Sequence, residues 1–303
     1  MPAAPVVAVV GPTAAGKSEL ALDLAAALGG EVVNGDSMQL YRGMDIGTAK
    51  LTRTERRGVP HHLLDVLEVT EAATVADFQV RARAAIEDCR RRGVVPILVG
   101  GSALYVRAVL DRFEFPGTDA AVRADLERQL QTSGPAHLHA RLAAVDPRSA
   151  GQILPTNGRR IVRALEVVTI TGRPFAATLP EHSYVYGTAR QIGVDVPRPV
   201  LDDRIELRVQ QMWERGLVEE VRRLEQVGLR EGLTAARALG YAQVLRYLAG
   251  ECTEAEAREQ TVRSTRRFAR RQDSWFRKDP RIRWVGYDDP GRVSAALDAV
   301  QGC

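Results

Sequence analysis

Val6-Val7-Ala8-Val9-Val10-Gly11-Pro12-Thr13-Ala14-Ala15-Gly16-Lys17-Ser18 passes from an unbroken apolar run through a glycine loop, and residues 19–28 continue as an Ala/Leu-rich stretch closing at Gly29-Gly30. An apolar run without polar alternation is what a strand covered on both faces of a parallel sheet requires. Gly11–Ser18 fits G-x-x-x-x-G-K-[ST], and the residues after it read as a helix with a glycine stop. Strand, glycine loop and helix occur in the order a phosphate-binding loop needs. The expected fold is therefore an α/β, doubly wound parallel sheet of the P-loop type.

The chemistry of the loop follows from its residue types. Glycines let backbone N–H groups converge on phosphate oxygens, and the helix N-terminus adds the positive end of its dipole. Lys17 neutralises phosphate charge, and the Ser18 hydroxyl is a ligand for Mg²⁺. Gly11, Thr13, Ala14, Ala15, Gly16, Lys17 and Ser18 thus form a candidate diphosphate or polyphosphate site. Such a loop identifies the group that is bound, not what is done to it. No Asn-Lys-x-Asp guanine-reading motif is present, and the apolar strand at 94–99 runs into Gly100-Gly101-Ser102 where a motor ATPase carries a carboxylate.

A second strand, Glu31-Val32-Val33-Asn34, leads into Gly35-Asp36-Ser37-Met38-Gln39-Leu40-Tyr41. Ligands of a doubly wound sheet sit at the carboxyl ends of its strands, so Asp36 is directed at whatever the glycine loop holds. It is a candidate Mg²⁺ ligand or general base. An Asp-Ser pair after a strand also builds an Asx turn, and spacing alone leaves the readings level.

Further segments resemble the bacterial tRNA dimethylallyltransferase (isopentenyl-diphosphate:tRNA transferase) family. They are Gly11–Ser18, Asp36–Tyr41, Arg42–Lys50, Pro60-His61-His62-Leu63-Leu64-Asp65, Gly100–Tyr105, Arg163–Val167, Gly240-Tyr241 and Arg270-Arg271-Gln272-Asp273-Ser274-Trp275-Phe276, spanning nearly the whole chain in the family's order. The resemblance implies transfer of a dimethylallyl group from dimethylallyl diphosphate to N6 of the adenosine 3′ of the anticodon, with pyrophosphate released. It implies Thr13 at the reacting centre, Lys17 and Ser18 on the diphosphate with Mg²⁺, Asp36 as base and metal neighbour, and Arg204 stabilising the leaving group. Ser37, Met38 and Gln39 would lie beside the target base. Ser102, Arg123, Arg159, Arg160, Arg163, Gly240, Tyr241, Arg270, Arg271, Gln272 and Ser274 would face the tRNA anticodon stem-loop. Ser102 and Ser274 replace the usual threonines, and Thr156–Arg160 departs from the family's pattern.

Residues 116–188 read as a helical insertion, with helical patterns at 122–130, 136–145 and 159–169, into a catalytic core made of 1–115 and 189–303. The resemblance places this insertion on the anticodon arm. Residues 258–283 carry ten Arg/Lys against three acids, a stripe suited to phosphate backbone. Phe268 and Trp275 within it are expected in the core, and the arginines on RNA. His61 and His62 read as structural histidines, and Cys89, Cys252 and Cys303 as incidental thiols. No apolar run approaches a bilayer span, and the N-terminus lacks a signal-peptide pattern, so the expected protein is cytoplasmic, off the membrane, and in no need of being more than a monomer. Two other readings share the glycine loop: a small-metabolite kinase, marked by ATP turnover, and a nucleotide-gated RNA-binding module without a covalent product.

Overall fold

The computed structural model describes residues 4–175 and 182–302; Met1, Pro2 and Cys303 lie outside them. In chain order the elements are β1 (Val6–Val10), α1 (Lys17–Leu28), β2 (Gly30–Asn34), β3 (His61–His62), α2 (Val75–Arg91), β4 (Val95–Gly100), α3 (Ala103–Leu110), α4 (Ala120–Val145), α5 (Pro147–Ala150), α6 (Gly158–Thr171), β5 (Ala189–Asp195), α7 (Arg198–Glu214), α8 (Leu217–Glu225), α9 (Tyr241–Leu248), α10 (Glu254–Phe276), β6 (Ile282–Gly286) and α11 (Arg292–Gln301).

All the strands are parallel, in the order β3-β2-β4-β1-β5-β6. The apolar run of β1 is explained by its position inside the sheet, buried on both faces. Val7 and Val9 pack with Leu20 and Leu24 of α1 and with Ala296 and Val300 of α11. Val6, Ala8 and Val10 face Phe78 and Ile86 of α2 and Val106 and Leu110 of α3. Alternate side chains of a strand point to opposite faces, so each face needs its own helical cover. The chain leaves β1 to build β2 on one side and later adds β5 on the other. The loop after β1 therefore opens at the carboxyl edge where the strand order reverses.

The chain divides into two compact units, Met1–Asp111 with Tyr184–Cys303, and Arg112–Ser183. The second is helical, built on Leu126, Leu138, Leu142, Ile161 and Leu165 from α4 and α6. Helix α4 kinks at Gly134, which adopts φ +77°, just before Pro135. This junction separates the two sequence-predicted helices of that region. Two strands escaped the sequence reading. β3 has only two residues, too few to show periodicity, and β6 begins at the very end of the basic stretch with Arg283 exposed.

Candidate functional site

The loop after β1 folds as its glycines demand. Gly11 adopts φ +137° and Gly16, directly before α1, φ +97°, conformations that side chains resist. Ala14 is also held at positive φ. Lys17 Nζ donates to the Pro12 carbonyl at 2.7 Å, curling the loop. Burial and the nearby charge of Arg208 push the Lys17 ammonium down to about 8, while Asp36 pulls it back up.

Asp36 is set by its neighbours. The buried Asn34 side chain accepts from the Asp36 N–H at 2.9 Å and donates to the Asp36 and Leu63 carbonyls at 2.9 and 3.0 Å. Asp36 Oδ1 accepts from the Met38 N–H at 2.8 Å, so the Asx turn exists. Burial raises the pKa of the carboxyl, against the Met38 and Gln39 N–H groups and the charge of Lys17, which lower it.

Two cavities, of about 340 and 420 Å³, share Thr13, Asp36, Thr48, Ala49, Arg208, Phe268 and Gln272. The first adds Lys17, Ser18, Gln39 and Arg204 and is the one lined by the glycine loop. The second adds Ser37, Met38, Ser102, Met212, Arg237 and Arg271 and has the larger apolar share of its wall. Arg204 lies 5.4 Å from the Tyr287 ring centroid. Arg208, one helical turn further along α7, is half-buried, and burial together with the charge of Arg204 lowers its pKa. Neither arginine has a carboxylate partner among the described residues. Lys17, Arg204 and Arg208 are thus three cations facing one space, an arrangement that calls for a polyanion. Ser18 and the Asp36 carboxylate supply oxygen donors to the same cavity, the donor type Mg²⁺ prefers.

Distant residues hold this wall in place. Gln272 Oε1 accepts from the Thr13 N–H at 2.9 Å and its Nε2 donates to the Gly101 carbonyl at 2.8 Å, tying α10 to both loops. A Cβ on Gly101 would sit 2.5 Å from that amide. The buried Glu220 carboxylate accepts from the Ile46, Asp45 and Gly47 N–H groups at 2.8, 3.2 and 3.2 Å and from the Tyr241 hydroxyl at 2.5 Å. This anchors the segment that brings Thr48 and Ala49 to the cavities. Lys50, buried, donates to the Tyr41 carbonyl and to Asp45 and Asp65 at 2.8, 2.7 and 2.6 Å, closing the other side of the same segment.

Comparison with known proteins gives this geometry its family. The family described as IPP transferase matches residues 39–279. This chain belongs to it. It is 65% identical over 300 residues to the tRNA dimethylallyltransferase of Thermobifida fusca, covering 97% of this chain and 94% of that one, and 67% identical over 284 residues to that of Streptomyces coelicolor, covering 94% and 91%. Its fold is similar to the solved full-length tRNA isopentenylpyrophosphate transferase of Bacillus halodurans, with TM-score 0.71 and 41% identity over 98% of this chain and 94% of that one. It is also similar to a eukaryotic dimethylallyltransferase captured acting on tRNA, with TM-score 0.84 and 26% identity over 98% and 78%.

Within this IPP transferase the expected nucleic-acid residues divide. Ser102 precedes α3, and Ser37, Met38 and Arg271 line the second cavity. Arg270, Arg271 and Ser274 are exposed on α10. Tyr241 corrects the expectation: it is fully buried, its hydroxyl spent on Glu220, and its ring lies where a Cβ on Gly47 would be. Gly240-Tyr241 therefore supports the cavity wall from behind. Gln272 is buried too, its amide used on the two loops. Trp275 is a second correction, 45% exposed where a core position was expected, and Phe268 is a half-buried cavity wall. The buried stripe of α10 runs through Ala257, Thr261, Ala269, Gln272 and Phe276. Each residue turns a helix by about 100°, so Trp275 falls off that stripe while its neighbour Phe276 fills the core.

In the helical unit, Arg123 and Arg163 bind the buried Glu166 at 2.5 and 2.8 Å, and Arg163 also donates to the Pro116 and Gly117 carbonyls. Arg159 and Arg160 are exposed at the start of α6. Among the described residues no helix is long and apolar enough to cross a membrane. Arg208, Asn34 and Glu220 were missed from the sequence. Only Arg208 carried a signal, lying four residues beyond Arg204 on the same helix face.

Proposed function

We propose that this tRNA dimethylallyltransferase uses Asp36 to accept the N6 proton of an adenosine 3′ of the anticodon while the dimethylallyl group arrives from dimethylallyl diphosphate. The reading rests on one observation: Asp36 lies in the wall shared by the glycine-loop cavity and a more apolar one. The diphosphate occupies the first, among Lys17, Arg204, Arg208 and the backbone of the glycine loop. The flipped adenine occupies the second, beside Ser37, Met38 and Phe268, because an enzyme that alkylates a base edge must take that base out of its stack.

In the transfer, N6 bonds to the allylic C1 as the C1–O bond breaks. The electron pair leaves with pyrophosphate, and the N6 proton passes to the carboxylate. An exocyclic amine is a weak nucleophile, so a base within hydrogen-bond reach assists as positive charge develops on nitrogen. The raised pKa of Asp36, caused by burial, strengthens it as a proton acceptor once ionised. The three cations meet the charge that builds on the departing diphosphate, and being already in place they reorganise little at the moment of reaction. Mg²⁺ would be held by Ser18 with Asp36 as its neighbour, and would neutralise further charge on the diphosphate. The exposed Arg270, Arg271 and Ser274 on α10, with Arg159 and Arg160 in the helical unit, are assigned to the phosphates of the tRNA anticodon stem-loop.

The test is label from dimethylallyl diphosphate incorporated into unmodified tRNA with Mg²⁺, run for the native chain and for Asp36→Ala. We expect label on adenosine, and a fall of about 10²–10⁴-fold in the variant, the range for losing a general base. Equal rates would remove Asp36 as base. No label in any tRNA would overturn the function.

A further inference from the structure

We propose that Glu31, His62 and Cys89 form a binding site for a zinc-class divalent cation, separate from the transferase site. The three ligand atoms already stand at nearly the spacing such an ion imposes. Cys89 Sγ lies 3.7 Å from His62 Nε2 and 3.5 Å from Glu31 Oε2, and the nitrogen and oxygen are 2.7 Å apart. With ordinary zinc–ligand lengths, a tetrahedral centre holds sulfur about 3.6 Å from each of the other two atoms, and nitrogen about 3.4 Å from oxygen. Two edges are therefore in place. The third opens by roughly 0.7 Å when the hydrogen bond between His62 and Glu31 is replaced by two bonds to the metal.

The fold explains why these residues meet. His62 pairs in register with Val33, two residues after Glu31 on the adjoining strand, so both side chains point to the same sheet face. Helix α2 covers that face, and Cys89, fully buried, lies in its last turn. His61, one residue earlier, points the other way and lines the glycine-loop cavity. The two histidines thus belong to different sites.

Sulfur, imidazole and one carboxylate are the donor set of zinc rather than of Mg²⁺ or Ca²⁺. Three protein ligands leave one tetrahedral position for water, and His62 and Glu31 are both partly exposed. Arg92 donates to Glu31 Oε1 at 2.8 Å and to Oε2 at 2.7 Å. It keeps the first bond when Oε2 turns to the metal, becoming the outer partner that orients a ligating carboxylate. The thiolate and the carboxylate together balance the charge of the ion.

Cobalt(II) titrated into the purified full chain is the probe, because thiolate ligation gives a charge-transfer absorption in the near ultraviolet. We expect that band to saturate at one cobalt per chain, to survive Cys252→Ser, and to vanish in Cys89→Ser. His62→Ala and Glu31→Gln should weaken cobalt binding by at least about 10–100-fold, the range for losing even an outer partner. Zinc should displace the cobalt and raise the Tm of the native chain but not of Cys89→Ser. Absence of the band in the native chain, or its persistence in Cys89→Ser, overturns the site. If Cys89→Ser does not fold, unchanged affinity in both His62→Ala and Glu31→Gln overturns it equally.

Discussion

Two pairs of arginines, one pair in each compact unit, are used in opposite ways. In the helical unit, Arg123 and Arg163 close on the buried Glu166. In the sheet-bearing unit, Arg204 and Arg208 face a cavity with no carboxylate partner among the described residues. A cation held half-buried without an internal anion is a destabilising arrangement unless an external anion completes it. The lesson is that the partner of an arginine, more than its exposure, tells whether it serves the fold or the substrate.

The sharpest way to break that contrast is to strip Glu166. Replacing Arg123 and Arg163 together by methionine leaves its buried carboxylate uncompensated. We expect a loss of about 3–5 kcal/mol in unfolding free energy, the range for orphaning a buried charge. The dimethylallyl transfer rate per folded molecule should fall far less. Chemical denaturation beside a single-turnover assay reads both. If stability held and transfer collapsed, those arginines would belong with the substrate after all.

The mirror experiment is Arg208→Ala. Removal of one preorganised electrostatic group costs about 10²–10³ in kcat, and we expect that loss with stability unchanged or improved, since an uncompensated cation is gone. A variant that unfolds and retains its kcat would place Arg208 with Arg123 and Arg163.

Arg281 extends the contrast to pH. It bridges Asp111 and Asp279, both buried. Burial pushes the Asp279 carboxyl up, but hydrogen bonds from the Arg281 side chain and backbone and from Gln191 outweigh it and hold the group down at about 2, against an ordinary 3.8. A carboxyl depressed in the folded state contributes stability that is complete above its ordinary pKa and disappears as pH falls from about 4 towards 2. That contribution is about 2 kcal/mol, and Asp279→Asn should lose it at pH 7 while flattening the acid limb of the unfolding profile. An unchanged acid limb would refute the assignment.

Legibility in the sequence followed the same division. The Val6–Val10 run, the glycine loop and the glycine stop after α1 are local signals, and each predicted the element that formed. The helical patterns of 122–130 and 136–145 emerged as one element because Gly134-Pro135 kinks α4 without ending it. What could not be read is long-range. Asn34 reads as any strand-ending polar residue until Asp36 is seen turning onto it. Glu220 lies more than 170 residues from the N–H groups it binds. Glu31 and Cys89 lie 31 and 27 residues from His62, with no ligand spacing to betray them. Tyr241 shows the hazard in the other direction: a residue that marks the family can serve the core of the site and never touch a substrate.

Glu220 offers the finest test, because it is a buried carboxylate balanced without any arginine. Three backbone N–H groups and the Tyr241 hydroxyl take the place that Arg123 and Arg163 hold around Glu166. Tyr241→Phe removes one of those four donors and keeps the ring that packs against Gly47. A hydrogen bond to a charged group is worth about 1.5–3 kcal/mol, and the three remaining N–H donors should hold the cost to the lower part of that range. The segment carrying Thr48 and Ala49 loses its side-chain tether but not its backbone ones. We therefore expect a modest fall in Tm, a rise in KM for the tRNA and an almost unchanged kcat. Loss of kcat as large as that of Arg208→Ala would mean that Tyr241 acts on the reacting groups, and the division between arginines that serve the fold and arginines that serve the substrate would not extend to the residues that support them.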